Sequence, residues 1–179
     1  DCKFGSDKPS DSELRLTLLY TPGVRYGYMD QHSQDWGRHD ITYALYGHRG
    51  DWREGRSEWQ GRRLNQPIRV WQAGSQNDGP PGVKSLSLLS IDTPQIDVRA
   101  VKLAEHSDRL IVRLQELWGR DVKDAVITFA AGIVEAEEVD GQERSLGPAE
   151  IRGGKLLVSM TPFSPKSFAI KLTAPPEHV

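Results

Sequence analysis

The stretch that decides the fold is Ile96-Asp97-Val98-Arg99-Ala100 followed by Leu110-Ile111-Val112-Arg113-Leu114. The first alternates apolar and polar residues with the period of two expected of a half-buried strand. The second is the next strand along the chain. Ala125-Val126-Ile127-Thr128-Phe129 makes another, and Val134 to Val139 runs into Asp140-Gly141, a dipeptide that predicts a two-residue hairpin. Gly153-Gly154 is a second turn, ahead of Leu156-Leu157-Val158-Ser159-Met160. Phe168-Ala169-Ile170-Lys171-Leu172 closes the set and Ser85 to Ile91 opens it. About seven short strands at even spacing, separated by turn residues, predict a β-sandwich. No titratable groups gather at a strand end in this half, which reads as structural.

Upstream, residues 73–84 (AGSQNDGPPGVK) carry the composition of a linker. That linker divides the chain into residues 1–72 and a sandwich domain over 85–174. In the first part, Leu14-Arg15-Leu16-Thr17-Leu18-Leu19-Tyr20 predicts a strand after a polar turn at 6–12. Residues 24–34 form a long loop with Tyr26, Tyr28 and His32. Ile41, Tyr43 and Leu45 alternate with Thr42, Ala44 and Tyr46 and predict a half-buried strand. Pro67-Ile68-Arg69-Val70-Trp71 predicts another. Between them, Trp59, Arg63 and Leu64 hint at a helix that Gly55 and Gly61 oppose.

The chemistry concentrates at residues 35–52 (DWGRHDITYALYGHRGDW), where Asp35, Asp40, Asp51, His39 and His48 crowd the turns beside Trp36 and Trp52. Such density suits a binding loop on a β scaffold. The plainer reading is that Trp36 and Trp52 plug a sandwich core while the charges are solvated. Trp36, Trp52, Trp59, Tyr26 and Tyr28 can stack on a pyranose, with nearby Asp, Asn, Arg and His meeting its hydroxyls. A glycosidase pair from Asp35 and Asp51 is conceivable, although acidic residues at turns are ordinarily solvated. His32, Asp35, His39 and His48 match no zinc spacing.

Composition narrows the classes further. The 179 residues suit one large domain or two small ones, with 37% hydrophobic and 27% charged residues. Twenty-three basic against 25 acidic residues leave a net charge of −2. With no basic block, nucleic acid is not expected as a partner. No apolar run is long enough to span a bilayer, so no membrane partner is expected. Cys2 is the single cysteine, which excludes an internal disulfide. A start at Asp1 without a leader reads as a piece of something longer or a processed product. There is no nucleophile elbow, phosphate loop or His-Glu-x-x-His motif.

Four stretches carry a family resemblance. Asp1-Cys2-Lys3-Phe4-Gly5 resembles the end of an Asn-Asp-Cys-Lys-Tyr-Gly motif, and Leu14 to Pro22 resembles a Leu-Thr-Leu-Leu-Arg-Ser-Pro strand. Asp35 to Gly50 resembles an Asp-x-Gly-x-His, aromatic-Tyr-x-Leu, His-x-Gly pattern, and Leu64-Asn65-Gln66-Pro67 resembles Leu-Asn-x-Pro. More loosely, Ala100-Val101-Lys102 and Ile111-Val112-Arg113-Leu114 are similar to strands of a final sandwich. Together they resemble the C-terminal region of glycoside hydrolase family 38 α-mannosidases, in the bacterial, vacuolar and cytosolic branch. Tyr20-Thr21 stands where Arg-Ser is usual, and Gly47 replaces a proline before His48.

The resemblance implies an all-β chain: the end of a large sugar-hydrolase β-sandwich (1–72), the linker, then a small C-terminal β-sandwich. It implies a retaining α-mannosidase whose nucleophile and zinc lie in an N-terminal catalytic domain of the same protein. No catalytic residue, metal ligand or cofactor is expected in this chain. Asp1, Lys3, Asp35 and His39 are the residues expected to line the cleft for an α-mannoside glycan. A bacterial periplasmic or exported location is favoured over the cytoplasm, with the compartment left open. The competing readings are an independent carbohydrate-binding module and a β-sandwich interaction module without a ligand.

Overall fold

The computed structural model describes residues 5–19, 37–71 and 85–173. The expectations for Asp1, Lys3, Asp35, the 24–34 loop and the 73–84 linker fall outside the described residues. Among those described, β1 (Ser6–Ser10) and β2 (Glu13–Leu16) pair as an antiparallel hairpin, and Ser57–Asn65 forms helix α1. The remaining strands are β3 (Leu89–Ile91), β4 (Ile96–Leu103), β5 (Leu110–Glu116), β6 (Val122–Phe129), β7 (Ile133–Val139), β8 (Ser145–Pro148), β9 (Ile151–Arg152), β10 (Lys155–Met160) and β11 (Pro165–Leu172).

These strands make two antiparallel sheets, ordered β3-β6-β10-β9 and β4-β5-β11-β7-β8. The all-β expectation holds. Alternation builds the core: Ala125, Ile127 and Phe129 on β6 and Leu156, Val158 and Met160 on β10 point inward. They meet Val112 and Leu114 of β5 and Phe168 and Ile170 of β11. Ile111, Val139 and Ala169 form a smaller cluster with Ala104. Charge pairs cover exposed positions of the five-stranded sheet, among them Arg109 with Glu135 and Glu137, each at 3.0 Å.

Local turn chemistry corrects one expectation. Asp140-Gly141 does not close a two-residue hairpin. The Asp140 N–H donates to the Arg144 carbonyl at 2.9 Å, leaving Gly141, Gln142 and Glu143 as a three-residue loop. Glu143 takes the left-handed conformation at φ 67, the usual ending of such a loop. The Asp140 carboxylate accepts the N–H groups of Gln142 and Arg144, at 2.8 and 2.9 Å, which holds the wider turn. Gly153-Gly154 does turn the chain in two residues, with φ 58 and 72, angles that only glycine adopts cheaply in succession.

The first part departs more. Residues 6–10 are a strand rather than a turn, and Leu14, Leu16 and Leu18 are exposed instead of sharing a buried face. Residues 38–48 and 67–71 carry no regular secondary structure, so the strands expected from their alternation are not formed. Leu45 is 82% and Ile68 93% exposed. A strand needs a neighbour for its backbone N–H and C=O groups, and the described residues supply none to either segment. The helix hinted at around 59–64 does form, despite Gly61.

Candidate functional site: the seam between the 46–66 segment and the sandwich

Helix α1 buries no residue, so packing of an apolar face does not explain it. Its order comes from both ends and from one polar face. Asp51 starts the segment by accepting the N–H groups of Arg53 and Glu54, at 2.8 and 3.0 Å. These bonds, the Glu54 N–H first and then the Arg53 guanidinium, hold its carboxyl below the usual range. Asp51 is thereby a turn brace, a role that does not fit a free catalytic carboxylate. Glu58 lies in the first turn, with Arg62 and Arg63 in the last, the arrangement the helix dipole favours.

His48 is held from three sides. Its Nδ1 lies 3.2 Å from the Arg49 carbonyl, which can only accept, so Nδ1 carries the proton. Nε2 is then free to accept from the Ser57 hydroxyl at 3.1 Å. The ring also lies so close to Gly55 that a Cβ there would stand 2.3 Å from His48 Cγ. Tyr46 packs on the other side, with ring centroids 5.5 Å apart.

Glu58 and Arg62 are four residues apart, hence on one face of α1, and both reach the sandwich. Arg62 pairs with the Asp97 carboxylate on β4, and its second nitrogen lies 3.5 Å from the Val98 carbonyl. Arg99 takes the other Asp97 oxygen at 3.2 Å. Asp97 is 1% exposed, a buried charge made tolerable by two guanidiniums. Glu58 Oε1 accepts from the Trp118 indole N–H at 3.1 Å, and Arg53 Nε donates to the Trp118 carbonyl at 2.7 Å.

Trp118 is itself positioned by Glu116, which is 0% exposed at the end of β5. The Glu116 carboxylate accepts three backbone N–H groups: Trp118 at 2.7 Å, and Gly119 and Phe163 at 2.8 Å each. Two buried carboxylates, Asp97 and Glu116, therefore present β4 and the 117–119 loop to the earlier segment. The reading that no titratable groups gather at a strand end in this half did not anticipate Glu116 at the end of β5. The sequence signal was thin. Glu58 and Arg62 at helical spacing were visible, but nothing in the chain pairs either with a residue sixty or thirty-five positions away.

An open cleft of about 960 Å³ lies along this seam, with Trp59, Arg62 and Gln66 on the helix side and Ile91, Asp92 and Asp97 on the strand side. Arg62 and Asp97 satisfy each other within it. Trp59 Nε1 and Glu58 Oε2 are buried without a hydrogen-bond partner among the described residues. Of the expected cleft-lining residues, only His39 is described. It is exposed, next to an Arg38–Asp40 pair at 3.0 Å. The seam does not include His39, and Trp52 lies under the Arg53 guanidinium at 4.4 Å and is not core. Among the described residues no three His, Cys, Asp or Glu side chains could hold a metal. No helix among them is long and apolar enough to cross a membrane.

Most of the two-sheet sandwich is similar to a known domain. Residues 95–172 match the glycosyl hydrolases family 38 C-terminal beta sandwich domain. More specifically, the chain is similar to Alpha-mannosidase 2C1 of Homo sapiens, 31% identical over 98% of this chain and 16% of the relative. Alpha-mannosidase 2C1 of Mus musculus is 29% identical over the same shares. The chain thus spans about one sixth (16%) of the length of the curated relatives it matches.

Proposed function

We propose that this chain is the non-catalytic C-terminal region of an enzyme that hydrolyses terminal α-mannosides with retention. In this reading a preceding domain of the same protein supplies the nucleophile and the zinc, and this chain helps shape the substrate cleft. The observation that carries it is the alignment of 98% of the chain with only 16% of an α-mannosidase. The unpartnered segments agree with it: Ile41, Tyr43, Leu45, Ile68, Val70 and Trp71 are exposed apolar residues on stretches with strand alternation and no sheet. A preceding domain that completed their sheet would bury them. Asp1, Lys3, Asp35 and His39 are proposed to face the mannoside.

The test uses an aryl α-mannoside with the isolated chain and with a longer protein that includes the upstream region. The isolated chain is expected to be inactive and the longer protein active. In the longer protein, His39→Ala should raise KM or lower kcat while Tm stays nearly unchanged. Turnover by the purified isolated chain overturns the proposal. Tight mannoside binding by that chain, without turnover by the longer protein, favours an independent carbohydrate-binding module instead.

A further inference from the structure

We propose that the seam is a positioning device: Trp118 and Asp97, on the C-terminal sandwich, fix the 46–56 turn and so order the stretch that carries His39. The link to catalysis rests on the function proposed above, whereas the ordering itself does not. Among the described residues, 38–48 pair with no strand, so the anchoring of their downstream end bears on their conformation. At the downstream end the anchor is fully specified. His48 is clamped by Arg49, Gly55 and Ser57, and the turn from Asp51 to Arg56 is closed by the Gly55 N–H to Asp51 carbonyl bond at 3.0 Å.

That turn is then tied to the sandwich at separated points. Arg53 holds the Trp118 carbonyl, Glu58 holds the Trp118 indole, and Arg62 holds Asp97. Three attachments along ten residues leave the segment no rigid-body freedom about a single hinge. The sandwich side is equally fixed, because Glu116 ties the backbone of Trp118, Gly119 and Phe163 together. A buried carboxylate at the end of β5 thus sets the position at which Trp118 meets Arg53 and Glu58. The sandwich carries no expected catalytic group, yet it anchors the turn that follows the His39 stretch.

Trp118→Phe keeps the apolar bulk and deletes the indole donor, leaving Glu58 without its partner. Arg62→Met keeps the aliphatic stem and deletes the pairing with Asp97, which retains Arg99. Amide hydrogen exchange on this chain should show faster exchange over residues 46–56 in both variants, with β5 and β11 unchanged as internal controls. In the longer enzyme both should lower kcat/KM about fivefold or more, the lower end of coupling between sites, with Tm nearly unmoved in Trp118→Phe and lowered in Arg62→Met, where the buried Asp97 keeps only Arg99. Adding Glu58→Leu to Trp118→Phe should recover little of the loss, because it removes the orphaned carboxylate without restoring the attachment, and full recovery would overturn the positioning role. Unchanged exchange over 46–56 overturns the proposal. Faster exchange with wild-type kinetics in an active enzyme overturns the link to catalysis. If the parent enzyme turns over no α-mannoside, the functional reading falls alone, and the exchange result still decides the seam.

Discussion

Ile41, Tyr43 and Leu45 alternate along the chain just as Leu156, Val158 and Met160 do, yet Leu45 is 82% exposed and Leu156 0%. Both runs have the side-chain pattern of a half-buried strand. They differ in what lies beside them. β10 has β6 on one side and β9 on the other to take its backbone groups, and a facing sheet to take its side chains. Residues 38–48 have neither among the described residues. Alternation states what a segment can do once a sheet exists, and it does not supply the sheet.

The sharpest way to test that contrast is to truncate one residue from each region. Ile127→Ala empties a fully buried site between the sheets and should cost about 3 to 4 kcal/mol in urea unfolding. Leu45→Ala in the same chain should cost less than about 0.5 kcal/mol, as at other surface positions. In a longer protein that covers residue 45, the second value should rise towards the first. A large effect of Leu45→Ala on the isolated chain breaks the comparison.

Next in size is Glu116→Gln. One Glu116 oxygen accepts two N–H groups and the other accepts one. An amide must turn its NH2 towards at least one of those donors, so at least one bond is lost and replaced by a clash of donors. A cost of about 2 kcal/mol is expected, with exchange quickening at residues 117–119. A neutral result would mean that the 117–119 loop is held by something other than this carboxylate.

A smaller effect concerns the chain as two pieces. Limited proteolysis is expected to cut first within residues 73–84, leaving a protected fragment from about residue 85 onward. If the seam holds as described, the piece carrying residues 46–66 should stay bound after the cut and co-elute with the sandwich on gel filtration. Trp118→Phe with Arg62→Met should release it. Earlier cleavage within 96–172 would overturn the division into two parts.

The sandwich was legible because its signals are local. Every strand expected after residue 85 formed, with shifted ends, because alternation there coincides with neighbours that pair. The Asp140 loop was misjudged by one residue because a side chain, invisible to the dipeptide rule, accepts two N–H groups and holds the wider turn. The seam was not legible. Asp97 sits at a strand position of ordinary appearance, and its burial depends on Arg62 arriving from a helix thirty-five residues earlier. Glu116 looks like a strand-end charge until the 117–119 loop folds back onto it. Long-range polar pairing of this kind leaves no periodicity, so spacing has nothing to report.

The smallest expected effect is on acid stability, and it again separates the two regions. Among the described residues four carboxyls sit below their ordinary values: Asp51 in the first region, and Glu137, Asp140 and Glu143 in the sandwich. The chief causes are the Glu54 N–H for Asp51, Arg109 for Glu137, the Arg144 N–H for Asp140 and Lys102 for Glu143. A depressed folded-state value means that the stabilisation is fully present above the unfolded value, 3.8 for Asp and 4.5 for Glu, and is lost as pH falls through the lower folded value. Lys102 and Arg109 are held the other way, above their ordinary values, chiefly by Glu105 and Glu137, so their contribution fades only at strongly alkaline pH. Stability should therefore be flat through neutrality and fall below about pH 4.5. Asp51 and Glu137 keep 43% and 37% of their side chains exposed, so their share of the slope is screened and should shrink further in high salt, whereas Glu143, at 10%, is screened less. Because three of the four belong to the sandwich, Asp140→Asn with Glu143→Gln should flatten the acid limb of its unfolding curve. Asp51→Asn should leave that limb alone and change only the exchange of residues 46–56. Equal effects of the two sets on the acid limb would show that the regions titrate as one cooperative unit.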